Sequence, residues 1–374
     1  MLVDATRKLS TGYIESLLCQ ESATQPLPKI RMLEIYKMLS DLGMIATRLP
    51  VQRGGGNLSM VDYGLMIEQL PPVIALSLIS HDSVIARIDA DGSDALKKTF
   101  LPDLLTGRKI ACSANSEDEA GSDANAIRTR IEVEGQYAYL TGRKVWISNA
   151  SICDVVIVSC IDQRIKNERL TTCRVVVEVK LHDMEVYHIR CAGLKQAHLG
   201  EMIFKRTMTS VAHIFEKKDN VHSQLVQSAH CNRPLLGLVA VHMAQRALDM
   251  ARSYATVRQQ FGKTLDHFQL IQKDLADIES AVISSRLMCL YALSSIDGGV
   301  EPSGISAMAK RFSTQHTEVA INLAIQIHGA MGLSEELGLV QLLADLKMLQ
   351  VADGTLGILA LVQGRKLTGV GAIR

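Results

Sequence analysis

Ile127-Arg128-Thr129-Arg130-Ile131-Glu132-Val133-Glu134-Gly135-Gln136-Tyr137-Ala138-Tyr139-Leu140 is the stretch on which the fold turns. Apolar and polar side chains alternate up to Glu134, as in a strand with one covered face. Gly135-Gln136 is a two-residue turn before a second strand, so the segment reads as a hairpin. Val155-Val156-Ile157-Val158 and Cys173-Arg174-Val175-Val176-Val177-Glu178-Val179 are β-branched runs of strand length. The chain from Lys109 to about Phe215 is therefore predicted to be β-rich.

On both sides the period changes to that of helices. Met32, Leu33, Ile35, Met38, Leu39 and Leu42 share one face of a helix over residues 30–42. Arg53-Gly54-Gly55-Gly56-Asn57 breaks the helical pattern, and Ser59 is placed to cap the next helix. Ser93 is placed to cap another, predicted to end at Phe100 before Leu101-Pro102. After about residue 220 long helices return. One is predicted to start with Pro234 at its first position, and others span residues 268–292, 305–328 and 335–351. Gly298-Gly299, Gly329 and Gly332 act as stops. The expected class is α+β: an all-α domain over residues 1–107, a small β-barrel or sandwich over 108–216, and a four-helix bundle over 217–374.

Composition narrows the function. Lys plus Arg is 40 against 39 Asp plus Glu, which leaves no field to draw a phosphate backbone. Aromatic residues make up 4%, too few for a base-stacking channel, so nucleic acid is excluded as an expected partner. The eight cysteines form no C-x-x-C pair, which gives no zinc-finger or thioredoxin-like pattern and fits reduced thiols. The start Met1-Leu2-Val3-Asp4-Ala5-Thr6-Arg7 lacks a signal-peptide layout, and the apolar stretch 71–79 is too short for a membrane span. A cytoplasmic protein without metal is expected.

Five short constellations carry candidate chemistry. Ser116-Glu117-Asp118-Glu119-Ala120-Gly121-Ser122-Asp123 offers hydroxyls and a backbone open to a ligand, or simply a solvated acidic loop. Gly142-Arg143-Lys144-Val145-Trp146-Ile147-Ser148-Asn149 holds the one tryptophan, either a core residue or a wall for a planar ring. Arg258-Gln259-Gln260-Phe261-Gly262-Lys263 offers a guanidinium for a diphosphate, or a helix C-cap. Gln326-Ile327-His328-Gly329-Ala330-Met331-Gly332 closes a helix with small residues. Ala352-Asp353-Gly354-Thr355 places an acid at a break between helices, where Asp353 taken alone is an N-cap.

In order and spacing these pieces resemble the acyl-CoA dehydrogenase family over nearly the whole chain. Gly92-Ser93-Asp94-Ala95-Leu96-Lys97, Ala120-Gly121-Ser122-Asp123 and Lys144-Val145-Trp146-Ile147-Ser148-Asn149 carry the resemblance in the first half. Arg258-x-x-Phe261-Gly262, Gln269, Gln326-Ile327-x-Gly329, Asp345-x-Lys347 and Asp353-Gly354-Thr355 carry it in the second. The resemblance implies FAD, with Ser116 and Trp146 at the flavin ring and Ser148 near its N5. It places Ser122 by the acyl thioester and Arg233 beside the substrate. Arg258 and Phe261 would reach the FAD of a neighbouring subunit, with Gln326 and Ala330 near its adenine end and Thr355 close to the catalytic acid. A homo-oligomer with shared FAD sites, a dimer or tetramer, follows from it.

Asp353 is then the expected base, one methylene shorter than the Glu usual in the family, roughly 1.5 Å of reach. Asn232 before Arg233 supplies no rival acid. Nitroalkane oxidases share the architecture and use Asp, but pair it with an Arg where this chain has Ala360. The Ser-Glu-x-x-Ala-Gly-Ser-Asp loop looks like the branch that oxidises hydroxyacyl groups on an acyl carrier protein for polyketide extender units. The expected substrate is thus an acyl-CoA or an acyl-carrier-protein thioester, and an electron-transferring flavoprotein the expected acceptor. A flavin oxidase or monooxygenase acting on a small free substrate, and a non-catalytic relative, are the rivals. The segment 161–181 reads as short for the family.

Overall fold

A computed structural model describes residues 1–124, 126–163, 172–179, 183–215 and 221–371. Helix α1 (Leu2–Leu9) passes through a π turn (Ser10–Ile14) into α2 (Glu15–Gln20). In α3 (Lys29–Asp41) the buried face is Met32, Ile35, Tyr36 and Leu39, at the spacing the sequence showed. Ser59 caps α4 (Met60–Ile67) by accepting from Asp62 N. Helix α5 (Pro72–Asp91) follows, and Ser93 caps α6 (Asp94–Leu105). Here the expected stop at Phe100 is corrected, because α6 continues through Pro102. Leu101 and Leu104 are both buried, and that packing outweighs the one hydrogen bond a proline removes.

Among the described residues the β-rich middle is one curled sheet of seven strands, β1 (Ala111–Ala114), β2 (Arg130–Glu134), β3 (Tyr137–Ser148), β4 (Val155–Asp162), β5 (Thr172–Glu178), β6 (Met184–His188) and β7 (Leu199–Ser210). The expected hairpin is β2–β3, with Glu134 opposite Tyr137 and Gly135 at positive φ in the turn. Strand β3 pairs antiparallel with β7 along nearly its full length, and β6 pairs with the other edge of β7. Strand β4 runs parallel to β1 and β2 and antiparallel to β5. Ile131, Leu140, Ile147, Val158, Val175 and Phe204 are part of a core of its own inside the sheet. Of the segment 161–181, residues 164–171 and 180–181 lie outside the described residues.

Helices then return as α7 (Val221–Val257), α8 (Gln269–Asp297), α9 (Ser303–His328), α10 (Leu339–Val351) and α11 (Leu356–Thr368). A two-stranded ribbon, β8 (Gln259–Gln260) and β9 (Lys263–Thr264), joins α7 to α8. Pro234 lies inside α7 and not at its first position. The turn before it is already committed to packing, since Ser83 Oγ on α5 donates to Asn232 Oδ1 at 3.1 Å. A second core runs unbroken from the N-terminal helices into α7, α8 and α9, so the helical parts pack together and leave the sheet against one side. Among the described residues no helix is long and apolar enough to cross a membrane.

Candidate active site between the sheet and the terminal bundle

A buried lysine joins two of the motifs. Lys144 on β3 is fully buried, and its Nζ donates to Glu117 Oε1 at 2.7 Å and to Asn115 O at 2.8 Å. The Glu117 carboxylate also accepts from Arg128 N and Thr129 N, and Ser116 O accepts from Val145 N at 3.0 Å. Burial pushes the Glu117 carboxyl up, but the hydrogen bonds from Lys144, Thr129 and Arg128 outweigh it and hold it below its ordinary range. The loop carrying Ser116 is thereby clamped to the strand carrying Trp146.

Trp146 is not a core residue. The register of β3 against β7 shifts between Lys144 and Ile147, so Lys144 and Val145 are both buried and Trp146 is thrown outward. Its φ is 60° and its side chain is 60% exposed. Left-handed backbone at a bulky L-residue costs roughly 1–2 kcal/mol, so surrounding structure must impose it. Asn149, also at positive φ, is buried and anchors the end of the strand. Its Nδ2 donates to Ser77 O and Ala111 O, and its Oδ1 accepts from Ser77 Oγ at 2.7 Å.

Between Trp146 and Asn149, Ser148 ends the strand and lines a cavity of about 90 Å³. Ser77, Leu194, His198, Met348 and Ala352 line it too, so α5, the β6–β7 connection and the end of α10 all meet there. The connection docks on α10 through Gly193, where an added Cβ would sit 2.1 Å from Ala344 O, and through Asp345 Oδ1, which accepts from Leu194 N at 2.6 Å. His198 is buried with Nδ1 2.7 Å from Ser151 Oγ, and burial lowers its pKa to about 4, leaving it neutral.

Beyond α10 the chain turns through Ala352-Asp353-Gly354, with Asp353 at φ 51° and Gly354 at φ 106°. Asp353 is not an N-cap. Thr355 caps α11, its hydroxyl accepting from Ile358 N. The Asp353 side chain is exposed, while two buried cations lie under its backbone. Arg233 Nε donates to Asp353 O at 3.1 Å. Lys310 Nζ donates to the carbonyls of Ala352, Gly354 and Gln350. Burial draws the Lys310 pKa down to about 8, with the Asp353 charge opposing and the Arg233 charge reinforcing the shift. Arg233 is likewise lowered by burial against the charge of Asp353.

The remaining residues lie elsewhere on the protomer. Arg258 and Phe261 project at the end of α7 and in the ribbon, Phe261 at φ 51° and 93% exposed. Gln326 and Ala330 are exposed where α9 ends. His328 stacks on Tyr254 with centroids 4.4 Å apart, which draws these two ends together. None of the four lines the Ser148 cavity. Ser122 is exposed on its loop, and Ser116 is half-buried. Sequence reasoning missed Ser77, His198 and Lys310. Lys310 had a signal: it shares the buried stripe of Ala307, Thr314, Thr317 and Ile321, so a charge at that spacing points into the bundle. Among the described residues no group of three or more His, Cys, Asp or Glu is arranged to hold a metal ion.

Three family models match the chain in order: "Acyl-CoA dehydrogenase, N-terminal domain" over residues 1–108, "middle domain" over 112–207 and "C-terminal domain" over 223–368. The chain is 27% identical over 340 residues to "Probable acyl-CoA dehydrogenase YngJ" of Bacillus subtilis (strain 168), covering 90% of each protein. Its structure is similar to glutaryl-CoA dehydrogenase from Mycobacterium smegmatis, with a TM-score of 0.91 at 25% identity, covering 100% of this chain and 95% of that one. Butyryl-CoA dehydrogenase from Megasphaera elsdenii shares the fold, with a TM-score of 0.90 at 23% identity and 98% of each chain covered.

Proposed function

The chain belongs to the acyl-CoA dehydrogenase family of FAD-dependent oxidoreductases, and on that premise we propose that Asp353 is the base of the reaction, removing the α-proton of a thioester-linked acyl group or the hydroxyl proton of a hydroxyacyl one. The observation that carries this reading is the turn itself. Asp353 sits at positive φ next to Ala352, which lines the Ser148 cavity, and two buried cations pin the backbone on both sides of it.

The residues present fit FAD. An exposed Trp146 on a strained bulge offers a ring face, and Ser116 and Ser148 offer neutral hydroxyls beside it. Arg258, Phe261, Gln326 and Ala330 are exposed and none of them lines the Ser148 cavity, as residues serving the FAD of a neighbouring protomer would be. A homo-oligomer with shared sites follows, and Thr355 would close the site next to the base. Bound FAD supplies the hydride acceptor.

The chain's own part in the reaction is polar and positional. The Asp353 carboxylate takes the α-proton as the hydride leaves the β-carbon, and the Asp353 N–H bonds the thioester carbonyl oxygen as charge builds on it. With a hydroxyacyl group the hydride leaves the carbon bearing the hydroxyl, and the carboxylate takes the hydroxyl proton. Arg233 holds Asp353 O through its Nε and in this way acts on substrate through the turn. The Ser116-Glu117 form of the flavin loop favours a hydroxyacyl group on an acyl carrier protein, with CoA the other carrier. An electron-transferring flavoprotein is the proposed acceptor. The reading is tested by mixing the purified holoprotein anaerobically with a panel of acyl-CoA and acyl-carrier-protein thioesters and following the flavin absorbance. Bleaching by a member of either class identifies the carrier; bleaching by none, with peroxide formed from small free substrates in air, overturns the dehydrogenase reading.

A further inference from the structure

Lys310 is fully buried on α9, and its acceptors are main-chain oxygens of one turn: Ala352 O, Gly354 O at 2.7 Å and Gln350 O at 3.5 Å. A buried ammonium is ordinarily balanced by a carboxylate, and its three protons call for three acceptors. This one uses carbonyls that flank the base, an arrangement more specific than neutralising a charge.

Peptide planarity gives the arrangement a consequence. The chain has no cis peptide bond among its described residues, and in a trans peptide the C=O and the following N–H point to opposite sides. Holding Ala352 O down towards Lys310 turns the Asp353 N–H away from it. Holding Gly354 O down does the same for the Thr355 N–H. Arg233, from a different helix, takes only the intervening Asp353 O. The cation also polarises the Ala352–Asp353 peptide it touches, which strengthens the N–H at its far end as a donor.

We propose that Lys310 is a positioning residue of the reaction, which aims and polarises the Asp353 N–H towards the thioester carbonyl oxygen. The inference rests on the function proposed above. Its effect belongs to the moment when negative charge collects on that oxygen, so it acts on the rate of proton removal more than on substrate binding.

The test compares FAD-loaded wild type, Lys310→Met and Lys310→Gln, with butyryl-CoA and its α-deuterated form as probes. In Lys310→Met, kcat is expected to fall at least tenfold with KM within about twofold, and the isotope effect of α-deuteration to rise. Lys310→Gln keeps two N–H donors and is expected to recover much of the loss. An unchanged kcat in Lys310→Met, or Lys310→Gln no better than Lys310→Met, overturns the proposal. If Lys310→Met does not fold, Lys310→Gln is read against wild type alone, where a lowered kcat at constant KM supports the role and an unchanged kcat overturns it. A crystal structure of Lys310→Gln gives a readout that needs no turnover: a rotated Ala352–Asp353 peptide supports the role, and an unmoved one overturns it. Wild type inactive on butyryl-CoA and every other thioester of the panel, with the peptide rotated in the variant, contradicts the proposed reaction and leaves the Lys310 placement standing.

Discussion

Lys144 Nζ and Glu117 Oε1 are 2.7 Å apart, the lysine fully buried and the glutamate nearly so. Together they fasten the Ser116 loop to the strand that bears Trp146. Removing one member leaves the other charge buried and unpaired, which typically costs about 3–5 kcal/mol. Lys144→Met is expected to lower the unfolding free energy by that order and to weaken FAD retention, while Glu117→Gln, which keeps an acceptor for Lys144, does less. Denaturant unfolding and the flavin content of the purified variants measure both.

Trp146 is exposed and makes no contribution to either core. Trp146→Phe is therefore expected to change stability by less than about 0.5 kcal/mol while weakening FAD binding. As the chain has one tryptophan, its emission reports on this residue alone. Stripping FAD is expected to raise that emission and adding it back to quench it. Emission indifferent to FAD would place the ring away from the cofactor.

Gly193 lies so close to α10 that a Cβ would meet Ala344 O at 2.1 Å, a backbone atom that cannot turn aside. Gly193→Ala is expected to cost about 1–3 kcal/mol and to loosen the docking that closes the Ser148 cavity. Thermal unfolding of the apoprotein measures the first, and FAD affinity the second.

The acid limb of stability follows from buried imidazoles. His81 accepts from Ala111 N at Nδ1 and donates to Leu104 O from Nε2, so a second proton would break a bond, and burial lowers its pKa to about 4. His198 is lowered to about 4 as well. The unfolded chain, near 6.5, binds those protons first, so stability is lost as pH falls from about 6.5 through 4. Asp82 acts in the opposite sense. Burial raises it to about 6, the folded state binds its proton first, and it offsets part of the loss between about 6 and 4. Urea unfolding between pH 7 and 4.5 is expected to show falling stability, shallower in His81→Gln and steeper in Asp82→Asn.

Much of this was legible in the chain because local periods agree with the fold. The Ile127–Leu140 alternation became β2 and the start of β3, and Ser59 and Ser93 cap the helices they precede. What was not legible depends on contacts between distant segments. Trp146 reads as a strand residue, and only the bulge against β7 shows that it faces outward. Pro102 and Pro234 read as boundaries, yet tertiary packing carries both helices past them. Asp353 reads as a cap because a cap needs only local geometry, whereas its place over Arg233 and Lys310 needs α7 and α9 in position.

The most direct measurement is anaerobic reduction of the bound flavin in Asp353→Asn by the best thioester of the panel. The variant is expected to bind FAD as the wild type does and to bleach slower by several orders of magnitude, since an amide cannot take the α-proton. Reduction at the wild-type rate would contradict the assignment of Asp353 as the base.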